Sequence, residues 1–115
     1  MTLPNRTNPQ LPYKVGSTFE FQGCQLQQDG APVELTDYHL SSQIRQLNRT
    51  LVAELPVVVD STDPAKFNIL SPGNEGEWPA QKLYWDIRYE SPTGVVFYSQ
   101  TIEVNASRRE TWLTN

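Results

Sequence analysis

QKLYWDIRYE, residues 81–90, alternates with a period of two: Leu83, Trp85, Ile87 and Tyr89 share one face, and Tyr84, Asp86, Arg88 and Glu90 share the other. Successive side chains of a strand point to opposite faces, whereas apolar residues on a helix recur every three or four positions. This stretch is therefore a half-buried strand. Ser91-Pro92-Thr93-Gly94 follows as a compact hairpin loop. Residues 95–104 then return as a partner strand, with Val96, Tyr98, Ile102 and Val104 expected on one face.

Upstream, the same period recurs. Phe19 and Phe21 point one way and Thr18, Glu20 and Gln22 the other. Gly23 interrupts the alternation and marks a bulge, after which Cys24 and Leu26 resume the inward face. Asp29-Gly30 is a tight-turn signal. Val33 and Leu35 start a short strand behind Pro32. In residues 38–46, Leu40, Ser42 and Ile44 stand opposite His39, Ser41, Gln43 and Arg45. Leu47-Asn48-Arg49 is a turn, and Leu51, Ala53 and Leu55 alternate beyond it. Val57-Val58-Val59 is β-branched, and Pro56 confines it to an edge or a bend. Phe67-Asn68-Ile69 is a further short strand, ended by Ser71-Pro72-Gly73-Asn74. No window of helical length carries a helical period.

About seven short strands with turn signals roughly every 8–12 residues predict an all-β, immunoglobulin-like antiparallel sandwich. The Cys…Trp…Cys staple of true immunoglobulin domains is absent, since the chain has one cysteine, Cys24, among 115 residues. That length suits one domain held by a single core. Residues 1–13 read as an extended arm, with Pro4, Pro9 and Pro12 removing backbone donors. Residues 14–105 are the sandwich and residues 106–115 a polar tail.

The formal net charge is −4 and charged residues are 19% of the chain. Nucleic-acid binders carry a basic face, and the only basic cluster here, Arg108-Arg109, is followed by Glu110. Nucleic acid is therefore not expected as a partner. No apolar run approaches the roughly 20 residues of a spanning helix, and residues 1–10 do not resemble a signal peptide. No membrane partner is expected.

Catalytic chemistry finds no foothold, and no catalytic, cofactor or metal residue is assigned. His39, the only histidine, lies on the outer face of its strand with no Ser or Cys at a suggestive spacing. Cys24 sits in an apolar alternation, where a thiol is inert. Asp60, Asp63, Glu75 and Glu77 lie in loops, and Trp78 beside Glu77 raises sugar stacking or calcium binding. Neither acidic pair matches the spacing of a calcium loop. The chain has no phosphate-binding glycine loop. Asn5, Asn48 and Asn105 begin Asn-x-Ser/Thr sequences at a frequency that chance explains in a chain so rich in these residues.

Val15-Gly16-Ser17-Thr18-Phe19-Glu20-Phe21, the run from Asp29 through Gly30-Ala31-Pro32-Val33-Glu34-Leu35-Thr36 to Tyr38, and Ser42-Gln43-Ile44-Arg45 together resemble small structural proteins of tailed phages and prophages. These stretches are similar to the N-terminal domain of baseplate upper proteins and to tail-fibre-associated immunoglobulin-like modules. The likeness continues through Leu51-Val52-Ala53-Glu54 and Trp85-Asp86-Ile87 and spans roughly residues 15–104. Where the pattern carries Gly after Leu-Thr, this chain has Asp37. The resemblance implies a non-enzymatic sandwich that attaches to other virion proteins in the tail, baseplate or fibre region. It implies a place in the virion, assembled in the bacterial cytoplasm, and no catalytic residues.

Both arms then become candidate partner contacts: Leu3, Pro4, Leu11 and Tyr13 at one end, Arg108, Arg109, Trp112 and Leu113 at the other. A tryptophan close to a chain end is suited to anchoring an interface, because large aromatics dominate interface energetics. The expected partners are other virion proteins and copies of the chain itself in a symmetric assembly. A capsid decoration protein has the same chemistry. A carbohydrate-binding module using Trp78, Tyr84 and Trp85 is the alternative of another class. Tyr84 and Trp85 face opposite ways on one strand, which argues against a host glycan as partner.

Overall fold

The strand at residues 81–90 is the centre of the molecule. A computed structural model describes residues 8–108, and in it this strand, β9 (Lys82–Glu90), buries Leu83, Trp85 and Tyr89 on one face. Ahead of it in the chain come β1 (Gln10–Lys14), β2 (Phe21–Cys24), β3 (Gln27–Gln28), β4 (Ala31–Pro32), β5 (His39–Arg45), β6 (Leu51–Leu55), β7 (Val57–Val59) and β8 (Phe67–Ile69). A 3₁₀ turn (Glu75–Glu77) precedes β9, and β10 (Val96–Tyr98) and β11 (Ile102–Ser107) follow it.

One sheet has six strands, in the order β1-β11-β9-β5-β6, with β10 also paired to β9. The other has three, in the order β2-β8-β7, and β3 and β4 form a separate two-stranded hairpin. The chain is an all-β sandwich. In chain order, β2, β7 and β8 stand where an immunoglobulin domain has strands B, D and E. β5, β6, β9 and β11 stand at C, C′, F and G.

Local chemistry explains the turns. Asp29 and Gly30 both take positive φ (52° and 79°), the geometry of the tight turn that suits the twist of a hairpin. Gly23, at φ 68°, sits where the pairing of β2 with β8 shifts register between Phe21 and Cys24. Pro56 separates β6 from β7 and so carries the chain from one sheet to the other. β7 is an edge strand, one of the two places open to it behind Pro56.

Aromatic side chains join the sheets. Phe19 and Phe21 meet Trp85 at centroid distances of 4.9 and 5.0 Å, and Phe67 meets Tyr89 at 6.1 Å. Each such ring removed from water contributes roughly 1.5–3 kcal/mol. The indole N–H of Trp85 donates to Ser42 Oγ at 2.6 Å, and that hydroxyl donates to the Asp86 carbonyl at 2.8 Å. The buried serine between β5 and β9 is thereby satisfied, which removes the penalty for enclosing it.

Five expectations change. Residues 10–13, expected in the arm, belong to the sandwich: β1 pairs with β11, and the pairing is parallel, so the sheet is mixed rather than antiparallel throughout. Pro9 O accepts from Glu103 N and Val15 N donates to Ser107 O, so odd-numbered residues of β1 bond to β11. Pro12 faces the open edge, where no donor is needed. At the other end Ala106, expected in the tail, is buried on β11.

The expected single strand at residues 95–104 is two strands. Tyr98 pairs with Arg88 and Ile102 with Trp85, so Ser99, Gln100 and Thr101 oppose only Asp86 and Ile87. The extra residue is a bulge and reverses the faces. Phe97 turns inward and stacks on Tyr89 at 5.1 Å, while Val96 and Tyr98 turn outward. This split, the β3–β4 hairpin and β1 bring the strands among the described residues to eleven, where about seven were expected.

Candidate functional site

The parallel β1–β11 pair sets where the chain enters and leaves. Gln10 lies opposite Glu103 and Lys14 opposite Ser107. The described chain therefore enters at one end of this edge and leaves, at exposed Arg108, from the other.

Of the candidate contact residues, Leu11 is partly buried against the core. Tyr13 is 9% exposed and belongs to the core, so its ring is not a free contact. It packs on Phe19 at 5.5 Å and Trp78 at 5.3 Å, and its hydroxyl donates to the Ser17 carbonyl. Burial first, and Glu75 nearby second, push its phenol up to about 12. Its position opposite Ala106 explains the difference from expectation, since that pairing needs the distant C-terminal strand. Leu3, Pro4, Arg109, Trp112 and Leu113 lie outside the described residues.

Exposed apolar side chains gather at β10. Val95, Val96 and Tyr98 are 59%, 40% and 60% exposed. Ser91 N donates to Val95 O and Ser99 N to Ile87 O, so odd-numbered residues here bond to β9. The backbone groups of Val96 and Tyr98 consequently point to the open edge. No proline or charged side chain blunts this strand, unlike β1 with Pro12.

Beside β10, the outer face of the six-stranded sheet is polar. Ser41, Ser42, Gln43, Asp86, Arg88 and Tyr98 line a depression of about 100 Å³. The Arg45 guanidinium is held by Gln43 Oε1 at 3.0 and 2.6 Å and by the Arg49 carbonyl at 2.7 Å. Arg88 pairs with Glu90 at 3.2 Å and Lys82 with Glu103 at 3.5 Å. Burial pushes the Asp86 carboxyl above the usual carboxylate range, against the opposing pull of Arg45.

No family model matches the chain, and no curated protein matches its sequence.

Several of the residues weighed for sugar or calcium binding have other work. Glu75 is buried and accepts from the Phe19 backbone N–H at 2.9 Å and from Ser71 Oγ at 2.5 Å. Burial raises its pKa, but the hydrogen bonds from Ser71 and Phe19 outweigh burial and hold it below the usual range. Trp78 and Trp85 are buried, so with Tyr84 they make no stacking platform. The Trp78 indole donates to Asn74 Oδ1 at 2.8 Å. Asp60 Oδ1 accepts from the backbone and hydroxyl of Thr62, both at 2.8 Å, as a loop-forming carboxylate does.

Cys24 is half-buried, and burial pushes its thiol up. His39 is exposed and pairs in register with Glu90. Among the described residues no three His, Cys, Asp or Glu side chains converge. What the arrangement offers is an open edge, an apolar ridge and first and last described residues at opposite ends of the β1–β11 edge. Sequence reasoning missed the β10 ridge because the bulge hides which way Val96 and Tyr98 point.

Proposed function

We propose that the chain is a non-enzymatic structural or adaptor subunit of a tailed-phage virion, joining tail, baseplate or fibre components through protein–protein contacts. The observation that carries this reading is the parallel β1–β11 edge, which puts the first and last described residues at opposite ends of one sandwich. Segments that continue from opposite ends of one edge can reach two different neighbours, as a connector requires. An arm that crosses onto a neighbour adds contact area without enlarging the core. Ordering it costs roughly 1–2 kcal/mol of backbone entropy per residue, so it orders where contacts offset that cost.

The resemblance of residues 15–104 to phage tail and baseplate modules supports the same reading. Asp37, which stands where the resembled pattern carries Gly, has φ 63°, a conformation glycine adopts freely.

Mass spectrometry of virions produced by the genome that encodes the chain tests the proposal. The chain is expected in purified particles, and a variant lacking residues 1–7 is expected to be absent from them although it folds. Particles that never contain the chain, or that take up the truncated form unchanged, count against it.

A further inference from the structure

We propose that the outer face of β9 and β10 is a docking surface for residues 1–7 of the same chain in the free subunit, with Arg6 at Asp86 and Leu3 over Val96 and Tyr98. The inference goes beyond the virion reading and holds or fails without it.

Placement is the first ground. Gln10 lies opposite Glu103, and Glu103 N donates to Pro9 O at 2.8 Å. In parallel register Pro9 is then level with Ile102 and Asn8 with Thr101, at the foot of β10. Counting back in extended chain, Arg6 comes level with Ser99, across from Asp86 and Ile87, and Leu3 comes level with Val96. The climb from Thr101 to Val96 is about 17 Å, and the five steps from Asn8 back to Leu3 span about 17–18 Å when extended. Pro9 has no N–H with which to continue the ladder. The ladder to β11 therefore lapses at Pro9, and the segment before it is free to turn onto the face.

Charge is the second ground. Arg6 is the only charged side chain in residues 1–7. On the receiving face Arg88 and Lys82 are paired with Glu90 and Glu103, while the Arg45 guanidinium, hydrogen-bonded to the neutral Gln43, acts on Asp86 only from beyond ion-pair distance. Among the described residues the Asp86 carboxylate has no ion pair and accepts no hydrogen bond, although it lines a depression. A guanidinium matches that carboxylate in charge and in its fork of donors. The apolar ridge is the third ground, because Leu3 is the one large apolar side chain of the segment that this count brings to it. The segment is tethered beside the face, which gives it an effective concentration on the millimolar scale that a separate chain must exceed.

The test pairs Leu3→Cys with Val96→Cys in a Cys24→Ser background, oxidised with copper phenanthroline at low protein concentration. Leu3→Cys with Leu47→Cys is the control, since Leu47 is exposed on the distant β5–β6 turn. A disulfide at monomer mass is expected to form faster in the first pair. Adding Arg6→Glu is expected to slow it about two- to fivefold, the effect of a partly exposed ion pair. Oxidation no faster than the control overturns the proposal. So does a disulfide found only between two chains, or a rate indifferent to Arg6→Glu.

Discussion

Glu75 is the residue whose chemistry departs most from what its neighbours in sequence suggest. Within Asn74-Glu75-Gly76-Glu77 it looks like solvated loop. In the fold it caps the Phe19 backbone N–H and takes the Ser71 hydroxyl, tying the loop before β9 to the segment entering β2. Because its folded pKa is held below the unfolded value, near ~4.3, its contribution is full above that value. The contribution fades as pH falls through the depressed folded pKa. Glu75→Gln is therefore expected to cost about 1–2 kcal/mol at neutral pH, the range for weakening hydrogen bonds to a buried charge. The deficit should shrink as the pH drops below the glutamate range, because the wild-type carboxylate is then protonated too. Urea unfolding from about pH 7 to about pH 3 measures it, and a deficit that stays constant with pH refutes this account.

At the scale of elements, bulges decide which face each side chain occupies. The one at Gly23 has a local cause: φ is 68°, and Asn68 Oδ1 accepts from the Gly23 N–H at 3.0 Å. A Cβ added there meets no atom within 4 Å, so the cost of Gly23→Ala is conformational alone, about 1 kcal/mol. Gly23→Asn should recover part of it, since asparagine enters left-handed backbone more readily. Thermal midpoints of the three proteins would rank Gly first, Asn second and Ala last; Ala equal to Gly would contradict the assignment. Such features are legible in sequence because their signal is local. Gly23, Asp29-Gly30 and the turn ending at Arg49, with φ 70°, all sit where the residue types place them. The bulge at residues 99–101 has no glycine. Ser99 Oγ accepts from Ile87 N in place of a backbone carbonyl, a substitution that no spacing announces. Val96 and Tyr98 keep step with Ile102 and Val104 in sequence, yet they stand on the other face. The β10 ridge was hidden for that reason.

At the scale of the whole molecule, what escaped the sequence is closure by its two ends. Leu11 and Tyr13 look like parts of a proline-bearing arm because their partners, Val104 and Ala106, lie more than ninety residues away. Parallel pairing over such a separation leaves no local trace. It also moves the boundary between dispensable and essential chain to the start of β1. Removing residues 1–7 leaves every described element intact, and the melting temperature is expected to stay within about 5 °C, equivalent to roughly 1 kcal/mol in a domain near this size. Removing residues 1–13 strips the edge of the larger sheet and takes the Tyr13 ring away from Phe19 and Trp78. Deleting one large buried aromatic costs about 3–5 kcal/mol, against a total stability of about 5–15 kcal/mol. The longer truncation should therefore lose cooperative melting or fall by tens of degrees, as circular dichroism at rising temperature would record. Tyr13→Ala in the full chain separates the ring from the strand: about half of the loss or more should appear in that single variant. A protein lacking residues 1–13 that melts like the parent would mean that the parallel edge does not hold the sandwich together.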